Sequence, residues 1–191
     1  SVEFPEREVV SGSLFDNGYR EREYSAVLDW ALTGKSWLKG RAGYTEREHE
    51  QLAARDFSGA TGRLTHDWQP TGKLRLETSL WREISAYEDY TASYVVEQGV
   101  GLTPSWRPTA LIGVGAPLSY KKREFKGDPG LVLSGLPVRE DKVSTYGIIL
   151  TYQPWRNVDL VVSYLSEDRD STRALDEYRV RVLSGSLQVS F

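Results

Sequence analysis

The side chains of this chain that could do chemistry are mostly charged, and they alternate with apolar residues. Because side chains point to opposite faces along a strand, such charges share one face of a sheet. On that face they can pair with one another, or line an aqueous path that selects by charge and size. The candidates are Asp29, Arg41, Arg63, Asp67, Arg75, Glu77, Glu97 and Asp159.

Candidates for catalysis or metal binding are few. Cysteine is absent, and there are two histidines. His49 lies in a charged stretch that is typical of a solvated loop, and His66 has the parity of its apolar neighbours, as an interfacial side chain would. Four acidic residues near position 170 lack the spacing of a calcium loop. We therefore expect no catalytic residue, no metal and no cofactor.

Composition excludes several classes of protein. Apolar residues make up 39% of the 191 residues and the mean hydropathy is -0.47, so no stretch could form a spanning helix. A net charge of -3 argues against nucleic-acid binding. The low hydropathy is compatible with a membrane barrel, because only every second residue of its strands faces lipid.

The elements that position the charges are predicted strands. Eight runs between residues 24 and 164 keep their apolar residues on even positions, as in Leu28, Trp30 and Leu32. A ninth run, 183–191, uses odd positions. A weaker tenth strand is predicted at about 6–15, where Val10, Gly12 and Leu14 could share a face.

The connections alternate in length. Short ones with Gly, Pro or Asn are predicted at 33–35, 69–72, 104–107 and 154–157, and mostly longer, charged ones at 16–21, 49–56, 87–90, 125–140 and 168–176. Short periplasmic turns and longer extracellular loops are typical of outer-membrane barrels. Phe191 would then end on the periplasmic side, which requires an even number of strands and favours ten.

Aromatic placement favours the membrane barrel over a soluble β-sandwich or lipocalin-like barrel, which also alternates. Trp and Tyr settle at bilayer interfaces, where the ring is half-buried and its polar atom is hydrated. Tyrosines lie towards the opposite ends of the strands from the short turns. The residues predicted at the turn-side membrane interface are Trp30, Trp37, Trp68, Trp106, Trp155 and Phe191.

Two resemblances add to this interpretation. The final run, with Leu183, Leu187, Val189 and Phe191, resembles the C-terminal signal that the outer-membrane assembly machinery reads. The unit Asp67–Lys73 (DWQPTGK), with echoes at 32–35 and 106–109, resembles the putative β-barrel porin family that includes outer-membrane proteins of exopolysaccharide biosynthesis operons. Members of that family are generally longer, so residues 1–191 are expected to be a single barrel domain or the C-terminal portion of a larger barrel.

The sequence therefore predicts an all-β, antiparallel, up-and-down transmembrane β-barrel of about ten strands in the bacterial outer membrane. The family resemblance implies a porin-like protein that assists exopolysaccharide export or small-solute passage. A plugged structural or adhesive barrel whose loops bind partners is the alternative, and an outer-membrane hydrolase is third. Expected partners are the lipid bilayer, lipopolysaccharide, the assembly machinery and polysaccharide, without nucleic acid and without enzymatic activity.

Overall fold

The computed structural model describes residues 2–4, 7–10, 13–16, 19–49, 56–89, 92–127 and 138–190, and it describes side chains for residues 19–49, 56–85, 87, 92–127 and 138–190. Nearly all of them form β-strands, and a short 3-10 helix spans Ala174–Asp176. Within these ranges, no helix has the length and apolar character needed to cross a membrane.

Thirteen strands are described. Three short ones come first: β1 (Val2–Phe4), β2 (Arg7–Val10) and β3 (Ser13–Asp16). Long strands follow, namely β4 (Tyr19–Thr33), β5 (Ser36–His49), β6 (Phe57–Trp68), β7 (Leu74–Asp89) and β8 (Ala92–Trp106). The remainder are β9 (Ile112–Gly115), β10 (Leu118–Lys126), β11 (Glu140–Trp155), β12 (Val158–Ser171) and β13 (Tyr178–Val189).

One antiparallel sheet carries all of these strands except β2 and β3, and its strands follow chain order from β4 to β13. The all-β, up-and-down prediction is confirmed. The register explains the shared parity of the apolar runs, since cross-strand partners are even with even from β4 to β12. A representative row is Leu28, Gly40, Leu64, Leu80, Val100 and Tyr120.

The switch to odd positions in the last strand also follows from the register. In β13, Leu183 pairs with Tyr164 and Leu187 with Leu160, so odd residues join the even apolar face. That face is exposed to the surroundings. Ile148, for example, is 44% exposed and Leu187 63% exposed, as lipid-facing side chains must be.

The prediction of a single strand at 6–15 is wrong. Residues 7–10 and 13–16 form a separate two-stranded sheet in which Val10 pairs with Ser13. The tenth position of the main sheet is taken by β1, which pairs with Tyr19–Glu21 of β4. Alternation over so short a segment is compatible with one strand or with a hairpin, so the pattern could not distinguish them.

The apolar run at 110–120 was predicted as one strand. The structure divides it into two shorter strands that occupy the same place in the sheet. Its two halves, β9 and β10, both lie between β8 and β11, and the chain leaves the ladder at Ala116 and Pro117. Proline has no N–H to donate, so one ladder hydrogen bond is missing at Pro117. The Pro117 carbonyl still accepts from the Gly147 N–H at 2.9 Å, so the sheet stays continuous around the break.

Several predicted connections are also displaced. Strand β8 continues through Pro104 to Trp106, so the turn lies at 107–111 rather than 104–107, and β11 continues to Trp155 through a bulge. Strands β5, β10, β11 and β12 extend into segments predicted as loops. Charged residues there pair across strands on both faces, and without an apolar face the sequence pattern fades before the strand ends.

The sheet has two edges. Among the described residues, β13 pairs only with β12. From Arg22 to Thr33, β4 pairs only with β5 in the described part of the sheet. No pairing joins β4 to β13 within this part of the chain. We call the end with the turns at 34–35, 69–73, 107–111 and 156–157 the turn end, and the opposite end the loop end.

Candidate functional site

The candidate site is the polar face of the sheet, opposite the apolar face. It carries ion pairs between side chains of the same or neighbouring strands. Arg63 Nη2 donates to Glu83 Oε1 at 2.7 Å, and Arg75 Nε donates to Asp67 Oδ1 at 3.0 Å. Arg41 pairs with Glu23 in the same way.

All eight predicted lumen-lining residues lie on this face. Glu77 shares Arg75 with Asp67, since its Oε2 is 3.4 Å from Arg75 Nη2. Asp29 lies directly across from Lys39 in the register, and Asp159 accepts a hydrogen bond from Gln153. The structure thus brings most of the predicted charges into pairs, while their role in lining a lumen stays a prediction.

Glu97 is the most connected of the eight. Its carboxylate accepts from Arg123 Nε at 2.6 Å and from the Trp81 indole N–H at 2.9 Å, and Lys121 Nζ lies 3.8 Å away. These bonds hold Trp81 in one orientation on the polar face. Its ring lies against the wall formed by Gly99 and Gly101.

The glycines make that orientation possible. A Cβ on Gly99 would lie 2.5 Å from Trp81 Cζ2, which real side chains do not tolerate. A Cβ on Gly101 would lie 3.5 Å from Cζ3 of the same ring. The indole therefore lies close to the backbone of β8 because two neighbours on that strand have no side chain.

A cavity of about 600 Å³ lies over the part of the polar face formed by β4 to β7. Its lining combines both signs of charge with small polar residues, including Glu23, Arg41, Thr61, Arg63 and Glu83. A solute there would meet hydrogen-bond donors and acceptors together with apolar side chains such as Val27, Phe57 and Ile84.

The predicted interface tryptophans divide between the two faces. Trp30, Trp68, Trp106 and Trp155 lie on the apolar face near the turn end, with exposures from 44% to 68%. The bulge in β11 places Trp155 there despite its odd number, since it pairs with Val158. Trp37 lies on the polar face, in register with Asp67, and Phe191 falls outside the described residues.

Comparison with protein families decides the identity. A family model described as "Putative beta-barrel porin 2" matches residues 31–191. The chain belongs to the putative β-barrel porin family. Comparisons with curated proteins and with solved structures gave no significant match.

This porin-family chain therefore has the β-barrel fold that its sequence predicts, and its described sheet has ten strand positions. The apolar face of its sheet is typical of a lipid-facing surface, and the polar face is typical of the interior of a barrel. On β11 the apolar band runs from Tyr146 to Trp155. We treat the strand ends beyond the tyrosines as outside the membrane-spanning segments.

The loop end of this porin-family sheet holds a buried ionic cluster around Asp141, which is 0% exposed. Arg139 Nη2 donates to it at 2.8 Å, Ser171 Oγ donates at 2.7 Å, and Arg169 Nε lies 3.8 Å away. Burial raises the pKa of Asp141, but the hydrogen bonds from Arg139 and Ser171 outweigh it, and the net pKa is lowered. The carboxylate is therefore charged and locks neighbouring strand ends together.

The histidines do not build a catalytic site with the acidic residues near position 170. His49 Nδ1 lies 3.2 Å from Asp56 Oδ1, and His66 Nε2 lies 2.7 Å from Ser36 Oγ. Asp168 instead pairs with Arg179, and Asp176 with Arg139. The described ranges contain no group of three or more His, Asp or Glu placed to hold a metal ion.

Sequence reasoning missed one or both partners in four ion pairs of the polar face. Glu23, Arg47, Glu83 and Arg123 lie nearer the loop end, where the alternation of apolar residues weakens. Their odd numbers were the available signal, because the parity rule continues beyond the apolar band.

Proposed function

We propose that this protein is an outer-membrane barrel whose polar face lines a passage for saccharide chains of an exopolysaccharide. The observation that carries the proposal is the Trp81 platform within a wall of paired charges. Membership of a porin family supports the passage, and the platform supports the class of solute.

The chemistry of the platform suits a sugar. The Trp81 ring lies close against Gly99 and Gly101, and the guanidinium of Arg63 lies over the ring. Arg63 Cζ lies 5.5 Å from the ring centroid, and Glu97 and Glu83 are near. An apolar ring face bordered by donors and acceptors can stack on the C–H face of a pyranose and bind its hydroxyls.

The unpaired edges of the sheet favour a barrel with more strands than those described. In hydrocarbon each unpaired backbone group costs several kcal/mol, so free edges on β4 and β13 must gain partners. We propose that further strands pair with both edges and that the described sheet is one portion of a larger barrel. A wider barrel leaves room for an aqueous path, whereas a closed ten-stranded barrel is filled by its own side chains.

Planar-bilayer recording tests the passage. Sustained conductance steps are expected, with interruptions when neutral oligosaccharides enter the lumen. Replacing Trp81 by Ala should shorten these interruptions, while the control Trp106→Ala, on the apolar face, should leave their duration unchanged. Silence from verified folded protein would overturn the passage and favour the plugged, adhesive barrel.

Disulfide trapping tests the larger wall, and the chain has no cysteine that would interfere. Ser186→Cys on β13 is combined in turn with cysteine at Ser25, Val27 or Asp29 on β4. We expect no intramolecular disulfide from any combination. The positive control joins Ser186 to Val161, its cross-strand partner on β12. A fast intramolecular bond from β4 to β13 would show a closed ten-stranded barrel and contradict the proposal.

A further inference from the structure

A belt of cations follows the apolar face at the loop end. On β4, Arg22 lies two residues beyond Tyr24, and on β10, Lys122 lies two residues beyond Tyr120. These tyrosines mark the upper limit of the apolar band, so the belt begins where hydrocarbon ends. We define the cation belt as Arg22, Arg82, Lys122, Lys126, Lys142, Arg179 and Arg181.

The cross-strand register shows that the belt is continuous over its central strands. In the register, Arg82 lies opposite Gln98, Gln98 lies opposite Lys122, and Lys122 lies opposite Lys142. Arg179 and Arg181 lie further along, opposite Asp168 and Ser166 on β12. All of these side chains share a face with the lipid-facing leucines, because their parity in each strand is the same.

Four cations of the belt have carboxylate partners. Lys122 Nζ lies 2.8 Å from Glu124 and 3.1 Å from Glu140, and Lys126 Nζ lies 2.7 Å from Glu124. Arg179 pairs with Asp168, and Arg22 lies 4.0 Å from Glu46.

The other three cations, Arg82, Lys142 and Arg181, are exposed and have no carboxylate partner among the residues whose side chains are described. Arg82 donates only to neutral oxygens, at 3.2 Å to the Ala60 carbonyl and 3.1 Å to Gln98 Oε1. In the register Lys142 lies between another cation, Lys122 on β10, and Asp170 on β12, and it forms no ion pair with that carboxylate. Three exposed cations on this face, without an ion-paired carboxylate among the described side chains, form a surface that complements anions.

We propose that the cation belt binds the phosphate groups of lipopolysaccharide through Arg82, Lys142 and Arg181. This inference rests on the proposed outer-membrane location, in which the loop end lies in the outer leaflet, where this lipid supplies the phosphates. Its acyl chains would lie along the apolar face below the tyrosines. Arginine and lysine bind phosphate oxygens with charge-assisted hydrogen bonds, and at this depth water competes only partly.

The chain offers a matched control at the turn end. Lys35, Arg107 and Arg156 are also exposed and have no carboxylate partner within the described side chains, and they lie in or beside the turns. Removing three charges there changes the net charge by the same amount at the opposite interface. Any effect of net charge alone would appear in both triple variants.

The experiment measures binding of purified lipid A to the full chain in detergent micelles. Bisphosphorylated lipid A is compared with the same lipid after phosphate removal, by native mass spectrometry at several salt concentrations. At about fivefold per cation, the R82Q/K142Q/R181Q variant should lose roughly a hundredfold in affinity for the phosphorylated form. The K35Q/R107Q/R156Q variant should bind as the parent protein does, and the dephosphorylated lipid should not distinguish the three proteins.

Equal affinity in the belt variant and the parent would overturn the proposal, as would an equal loss in the turn-end variant. Phosphatidylglycerol that competes as well as lipid A would show a general anion surface and overturn the assignment to lipopolysaccharide. Insertion into phospholipid vesicles is measured separately, by the shift of tryptophan emission. A parent protein that fails to insert refutes the proposed location, whereas one that inserts but does not prefer phosphorylated lipid A refutes only the belt.

Discussion

An arginine placed at Leu150 tests whether the apolar face meets lipid. Leu150 is 45% exposed and lies between Tyr146 and Trp155, the limits of the apolar band on β11. With about 3.4 Å per residue and a strand tilt of about 40°, those limits are roughly 23 Å apart in depth. Leu150 is therefore near the bilayer midplane.

The magnitude follows from that depth. An arginine at the midplane of a membrane barrel costs about 2–4 kcal/mol, which corresponds to roughly 30- to several-hundred-fold in the folding equilibrium. Thr151 is the matched control, because the next residue of the strand lies on the polar face, where it is exposed. Thr151→Arg should change the free energy of unfolding by about 0.5 kcal/mol or less.

The assay is equilibrium urea unfolding in phospholipid vesicles, followed by tryptophan emission. Leu150→Arg should unfold at clearly lower urea than the parent protein, and Thr151→Arg at nearly the same urea. If the two variants were equally destabilised, or if Thr151→Arg were the worse, the assignment of the faces would be refuted.

Three further predictions concern the polar face and the loop end. Asp141→Asn removes the buried carboxylate and leaves Arg139 with its 3.3 Å contact to Asp176, so it should destabilise the loop end by about 2 kcal/mol, seen as faster amide hydrogen exchange there. Hydrogen bonds from Lys122 and Lys126 lower the pKa of Glu124 to about 2. The parent protein should therefore be more stable than Glu124→Gln at neutral pH, because the carboxylate is ionised there. In urea titrations at several pH values, this difference in the free energy of unfolding should decrease below pH ~4.5 and vanish near pH ~2. Gly99→Ala should displace the indole of Trp81 and alter its near-ultraviolet circular dichroism, whereas Gly185→Ala, with nothing within 4 Å of its added Cβ, should not.

Much of this fold is predictable from parity. Leu28, Leu64 and Leu80 are far apart in sequence, yet their even numbers place them in one row of the sheet, and the structure confirms it. The rule works because each strand must keep one face in lipid, so hairpins with the wrong register would bury charge in the bilayer. At the loop end this constraint no longer applies, and the strands extend further than the sequence predicted.

The failures have local causes. Residues 6–15 lack enough alternation to separate one strand from a hairpin, and the break at Ala116 and Pro117 is invisible to parity because both halves keep the same face. The position of Trp81 against Gly99 and Gly101 could not be predicted either. It depends on which residues of β8 oppose β7, and spacing along one strand does not give that register.

The pairing of charges on the polar face has a consequence for the proposed passage. Arg41, Arg63 and Arg75 each contact a carboxylate on the same face, so the wall carries both signs in nearly equal amounts. Such a wall produces little net electric field along its length. A solute that follows it would be sorted by bulk and by stacking, and the permeability ratio of potassium to chloride would lie close to one.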